Sequence, residues 1–253
     1  GTKATPVGGA TTPPASAPAD PPTDVKSVSI LLGLRLGAVL PSGSVYALDG
    51  EEASYGDFVT AGAGVELSAG AWFARYFGAK LHVEGFGFGP GETVDDIDGL
   101  EIQSTVTNQA TGTGAGISIL GGTPLESYGV FGELGFTFVH SLRVARDFDA
   151  VESDANNPCG GTFEQTLTFN GTALRMAAGA RLPVAKVLHL TPFVLVTFGQ
   201  FTRLQNENTC GEALDESLGS SPLPPDGDFE DDVKASHQLF FIGLGGEFVL
   251  PLR

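Results

Sequence analysis

The chain has 253 residues, 30 acids against 13 lysines and arginines and a net charge of −17, a balance that disfavours nucleic-acid binding by phosphate neutralisation. No apolar run reaches the roughly 18 residues of a membrane-spanning helix, but a closed barrel, which also satisfies its whole backbone, stays open. The length allows one large domain or two small ones, and no signal peptide is visible at Gly1, so the chain reads as mature or trimmed.

Residues 1–27 are Pro, Ala, Thr and Gly with almost no large apolar side chain. They cannot bury enough surface to offset their ordering entropy, and are expected to form a disordered tail or linker, partly extended through its prolines. From Val28 the pattern changes to alternation, the mark of half-buried strands. In Val28–Leu40, Ile30, Leu32, Leu34 and Leu36 oppose Ser29, Gly33, Arg35 and Gly37. Phe58–Gly70 sets Val59, Val65 and Leu67 against Gly64, Glu66 and Ser68, and Phe77–Phe88 sets Ala79, Leu81 and Val83 against Lys80, His82 and Glu84. Asn108–Leu120 is weaker, being mostly Gly, Thr and Ala. Tyr128–Val144 opposes Val130, Leu134, Phe136 and Phe138 to Phe131, Glu133, Gly135 and Thr137. Strands are also expected over about 163–182, with Leu174 and Met176 opposite Arg175 and Arg181, and over His189–Leu204. The last, His237–Leu250, carries Phe240, Ile242, Leu244, Phe248 and Leu250 on one face and ends the other at Glu247.

Short connections follow the second, fourth and sixth strands; long polar ones follow the first, third, fifth and seventh. In an up-and-down antiparallel barrel, alternate connections gather at one mouth. The apolar face of the last strand is near the roughly 9–11 residues a tilted strand needs to cross a bilayer. The expected fold is therefore all-β, an eight-stranded antiparallel up-and-down transmembrane β-barrel over 28–253, with short periplasmic turns and long acidic extracellular loops. A barrel of this size has room inside only for packed side chains, which accounts for the glycines on the inward parity.

Gly245, Phe248 and Leu250 give a glycine-x-x-aromatic-x-apolar spacing that resembles the C-terminal strand of bacterial outer-membrane barrels. With the strand and loop arrangement, the stretch from Val28 to Leu250 resembles the barrel domain of the outer membrane protein A superfamily. The resemblance implies a bacterial outer-membrane location and roles in envelope structure, adhesion or weak pore formation. Both termini are expected in the periplasm. The family's peptidoglycan-binding domain would follow the barrel, and none is expected in this chain.

The inward parity collects Arg35, Glu66, Lys80, His82, Glu84, Glu133, Arg175, Arg181 and Glu247. Buried charges must pair, so a static salt-bridge plug is the plainer expectation and a narrow pore gated by exchanging partners the sharper one. Arg35 or Arg175 is expected to pair with Glu66, Glu133 or Glu247. The four long segments hold 22 of the 30 acids, with Arg146 and Lys234 as their only bases. Acidic loops keep a mouth soluble; the other reading is calcium binding through Asp226, Asp228, Glu230, Asp231 and Asp232, or through Asp95, Asp96 and Asp98, although neither stretch completes an EF-hand loop. Cys159 and Cys210 fall in polar segments and are expected to form a disulfide in an exported protein.

Catalysis has little support. His140 and Ser141 are adjacent, as are Ser236 and His237, and adjacent strand side chains point to opposite faces. His82 and Glu84 share a face and suggest a His–carboxylate pair without a nucleophile. The sequence thus reads as a non-enzymatic outer-membrane barrel, structural or surface-interacting, with no cofactor. Its expected partners are outer-membrane lipid and an envelope or surface partner held by the loops or the tail. The rivals are a narrow pore, a lipid-directed enzyme and a soluble lipocalin-like barrel.

Overall fold

The computed structural model describes residues 28–48, 51–73, 76–91, 96–97, 100–125, 128–150, 161–208 and 227–252. Eight long strands build the wall: β1 (Ser29–Leu48), β3 (Val59–Trp72), β4 (Phe77–Pro90), β6 (Leu100–Gly122), β7 (Gly129–Ala150), β8 (Gly161–Ala185), β9 (Leu188–Asn208) and β10 (Gly227–Pro251). Two short strands hang on it, β2 (Glu51–Ser54) on β1 and β5 (Asp96–Ile97) on β6. One helical turn, α1 (Tyr55–Phe58), lies between β2 and β3.

Each wall strand pairs antiparallel with the next in chain order, and β10 returns to β1 from Ser29↔Pro251 to Gly43↔His237. Closure removes the sheet edges over that stretch. The short connections after β3, β6 and β8 lie at the mouth where Ser29 meets Pro251, here the turn side. The connections after β1, β4, β7 and β9 leave from the opposite, loop side. Both barrel ends therefore sit on the turn side.

Alternation sorts the side chains by face. Leu34, Leu134, Phe136 and Ile242 point outward and are about half exposed, Leu134 at 52%, and Leu81 and Val130 each reach 62%. Val196 lies on the same outward parity and is partly covered. Exposed large apolar residues continue round all eight strands, a belt far beyond the few hundred Å² a soluble monomer shows. Meanwhile Arg35, Glu66, Lys80, Glu84, Glu133 and Arg175 are buried inside. Apolar outside and charged inside is the arrangement of a transmembrane barrel. It excludes the soluble lipocalin-like alternative, which needs the reverse.

The strand ends differ from the sequence expectation. β9 runs to Asn208 and β10 starts at Gly227, inside the polar stretch 205–236 read as loop; β6 starts at Leu100, inside 91–107. The ladder continues there although polar and acidic residues interrupt the apolar alternation that marks it in sequence; Asn206, a polar residue, takes an inward position and is buried. The opposite holds for β3 and β4, 14 residues each against 20 to 25 in the other wall strands. The wall is low there, and α1 folds in beside it.

A second correction concerns parity. Phe138 and Val139 both point outward, and the β7–β8 register slips between Thr137 and His140. This bulge moves one residue out of the alternation. Beyond it, the even residues His140, Leu142, Val144, Arg146 and Phe148 face the lumen. Arg146, read as a loop base, is buried instead.

Candidate functional site in the barrel lumen

The lumen is filled in layers. On the turn side Leu31, Trp72, Leu120 and Val249 form an apolar floor, with Leu125 of the β6–β7 turn packed against it. Just above, Arg181 Nε donates to Glu247 Oε2 at 2.9 Å, and its guanidinium lies 4.4 Å from the Trp72 ring and 5.2 Å from that of Phe131.

The next layer holds three cations and three carboxylates. Lys80 Nζ lies 2.8 Å from Glu66 Oε1 and 2.9 Å from Glu133 Oε2. Arg35 Nη1 lies 3.3 Å from Glu66 Oε1 and 3.0 Å from Glu133 Oε2. Arg175 contacts Glu66 Oε2 through Nη2, reaches Glu84 Oε2 at 3.1 Å through Nη1, and approaches Glu133 Oε1 at 3.1 Å without hydrogen-bond alignment. The cluster is neutral, as burial requires, since an unpaired charge here would keep a large desolvation penalty. Its depth follows from the alternation: the outward neighbours of these residues, Leu34, Leu67, Leu81, Val83, Leu134 and Leu174, belong to the lipid belt. Glycines opposite the long side chains make the room. A Cβ on Gly245 would stand 2.9 Å from Arg35 Cγ, and one on Gly135 2.9 Å from Arg175 Cγ.

Two expected pairings resolve differently. Glu247 is held by Arg181 rather than by Arg35 or Arg175. His82 and Glu84 do not pair: Glu84 goes to Arg175, while the His82 ring lies 3.3 Å from the Ser118 hydroxyl and 3.4 Å from that of Thr137. Ser118 stands on β6, too far along the chain for its contact with His82 to be read from strand spacing. The serine and the histidine are both buried among packed side chains.

Toward the loop side the lumen turns aromatic. Phe86, Phe193 and Phe241 pack edge to face, with centroids 5.9 and 5.0 Å apart. Above them the His140 and His237 rings meet, Nε2 to Nε2 at 2.7 Å, under the face of Phe201. Tyr55 and Phe58 of α1 plug this end. Tyr55 abuts His237 and Phe201 at 5.3 and 6.3 Å, and Phe58 abuts Phe169 at 5.8 Å. Burial pushes the titration of the Tyr55 phenol upward, so its hydroxyl stays neutral. The Arg146 guanidinium sits 4.4 Å over the Phe58 ring and donates to the Asp57 carbonyl. The Ser54 N–H bonds Asp57 Oδ2 at 2.6 Å and fixes the start of the turn. Gly91 closes against α1, its N–H donating to the Phe58 carbonyl at 3.1 Å; a Cβ there would run into the Phe58 backbone.

The sequence reading did not bring His140, His237, Arg146 and Tyr55 together. The outward doublet Phe138-Val139, which breaks the alternation, was the available sign of the bulge that turns His140 inward. Ser141 and Ser236 stay on the outward parity.

Cys159 and Cys210 lie outside the described residues. The strand ends that flank them do not: Ala150 pairs with Gly161, Gln165 with Asn208 and Asn206 with Gly227, so both connections leave the loop-side mouth. Asp95, Asp98 and Asp226 are also outside the described residues; Asp96, Asp228, Glu230, Asp231 and Asp232 are described as strand backbone only. The tail 1–27 is outside as well.

No family model and no curated protein matches the chain. Among solved structures it is similar to the outer membrane protein OprG from Pseudomonas aeruginosa, at 15% identity and a TM-score of 0.43, over 88% of this chain and 97% of that one. It is similar to a major outer membrane protein from Thermus thermophilus, at 13% and 0.44, over 88% and 98%. The outer membrane protease OmpT from Escherichia coli aligns at 9% and 0.41, over 88% and 97%.

Proposed function

We propose that the chain is a bacterial outer-membrane barrel that serves as a closed anchor, an envelope structural or surface-interaction protein that carries acidic loops on the cell surface. The observation that supports this most is the sidedness of the wall: a continuous apolar belt outside and a neutral, fully paired charge layer inside at the same depth. In this reading the turn side and both barrel ends face the periplasm. The strands that rise beyond the belt lift the connections after β7 and β9 away from the lipid, toward a partner or a divalent cation. No reaction is assigned.

A second reading is a narrow gated pore. It rests on one feature: each cation of the layer touches at least two carboxylates, so partners can exchange without leaving a charge alone.

Fractionation and proteolysis of intact cells test the anchor reading. The chain is expected in the outer-membrane fraction, with added protease cutting within 151–160 or 209–226 and leaving the strands whole. Recovery in the soluble fraction, or cleavage only after the outer membrane is opened, would overturn it.

A further inference from the structure

The His140–His237 contact is a polar junction among the rings of the aromatic half, and nothing in the anchor reading uses it. Its Nε2 atoms are 2.7 Å apart, the ring centroids 4.9 Å, and the planes differ by 15°. Together these values mean two imidazoles meeting head-on in nearly one plane. Such a contact holds one proton: one Nε2–H donates into the lone pair of the other. Both Nδ1 atoms are buried without a partner. One added proton leaves the bond in place, an imidazolium Nε2–H donating to a neutral imidazole; only when both rings are imidazolium do two N–H donors and two positive charges stand face to face, and the head-on bond cannot survive that.

The surroundings offer no relief. From α1 the pair meets Tyr55; from β9, Phe201 and Gly199, whose missing Cβ is the space the His237 ring occupies. Phe169 and Leu239 are buried in the same core. On these elements Arg146, buried farther along β7, adds to the repulsion, and Asp57 on α1 is bonded to the Ser54 N–H; Glu133 of β7 belongs to the charge layer below, and Arg143 of β7 and Glu207 of β9 are exposed on the outward parity. Glu84 of β4 packs over Gly114, the register neighbour of His140, but is engaged by Arg175. Among the described residues neither imidazole is bonded to a carboxylate.

When the rings part, something must yield. His140, His237 and Phe201 stand on wall strands paired on both sides. Tyr55 stands on a single helical turn held by side-chain packing, the Gly91 bond and the Arg146 bond to the Asp57 carbonyl, with no ladder of its own. We infer that the His140–His237 pair is a proton-operated latch that holds α1 in the loop-side mouth, and that double protonation in mildly acidic surroundings releases Tyr55 and opens the aromatic half of the lumen. The charge layer below is untouched, so the release exposes an aromatic vestibule and not a through-going channel. The inference does not depend on which membrane holds the barrel.

Amide hydrogen exchange of the intact protein in detergent micelles, corrected for the intrinsic rate, reads the latch directly. Between about pH 8 and about pH 5, across the ordinary titration range of histidine, protection of 51–58 is expected to fall about ten-fold or more, while β7 and β8 stay protected. His237→Gln keeps a polar contact but takes no second proton, and is expected to hold 51–58 protected over the whole range. His140→Gln is the companion variant and should behave alike if the first does not fold. Unchanged protection of 51–58 in the wild type, or the same acid-induced loss in a folded glutamine variant, would overturn the latch.

Discussion

The two halves of the lumen solve one packing problem by opposite means. On the turn side four cations and four carboxylates, Arg181 and Glu247 among them, fill the space and cancel one another; on the loop side Phe, Leu, Val and Tyr fill most of it, with the histidine pair, Arg146, Gln165 and Asn206 among them. The charged half is all-or-none, because removing one member strands the others in a dry interior. The aromatic half is graded, because each ring contributes its own buried area and volume-conserving changes are absorbed by neighbours. A charge layer also does not repay its desolvation better than apolar residues of the same size would. Its effect is therefore better sought in register and closure than in net stability.

The sharpest way to break the comparison is Glu66→Gln. Glu66 touches all three cations, so its loss leaves a buried positive charge and should cost about 3–5 kcal/mol in denaturant unfolding of the folded barrel. Adding Lys80→Met restores neutrality, and the double variant should lose clearly less than the two single losses summed. Additive losses would mean the layer is not coupled.

Next in size is the outer wall at the same depth. Leu134→Arg places a charge in the belt one residue from Glu133 and should cost roughly 2–4 kcal/mol in lipid vesicles. A negligible cost there, or a spin label at 134 that reports water, would put the belt outside the bilayer.

In the aromatic half Phe201→Leu should cost less, roughly 1.5 kcal/mol or below, as a near-conservative exchange. It should loosen the latch before it loosens the barrel. A loss as large as that of Glu66→Gln would erase the contrast between the halves.

The smallest effect on the barrel is expected at Cys159 and Cys210. Their bridge would close a loop of about fifty residues, for which chain entropy sets a ceiling of about 4 kcal/mol. The β8–β9 pairing already restrains most of that loop, so breaking the bridge should shift unfolding far less. Non-reducing peptide mapping checks the bridge itself; free thiols at both positions in protein kept from reductant would remove it.

The contrast also explains what the sequence disclosed. The wall was legible because lipid outside and a packed lumen inside impose a strict period of two: Leu34 against Arg35 and Leu134 against Glu133 need no structure to be assigned a face. The strand extensions over 100–107, 205–208 and 227–236 were not, because polar and acidic residues interrupt the apolar period there while the backbone ladder goes on. Which charge pairs with which was not legible either. Arg181 reaches Glu247 because their tilted strands bring them to one level, and strand spacing carries no record of that level. The histidine pair was hidden by one extra residue at Phe138-Val139, since a single bulge inverts every face beyond it.

The central claim is that a neutral layer built on Arg35, Glu66, Lys80, Glu84, Glu133 and Arg175 seals the lumen at bilayer depth. Single-channel recording of the wild-type protein in a planar bilayer tests it most directly. The account predicts a baseline without resolved conductance steps at neutral pH; reproducible ohmic steps from the folded wild-type barrel would contradict it.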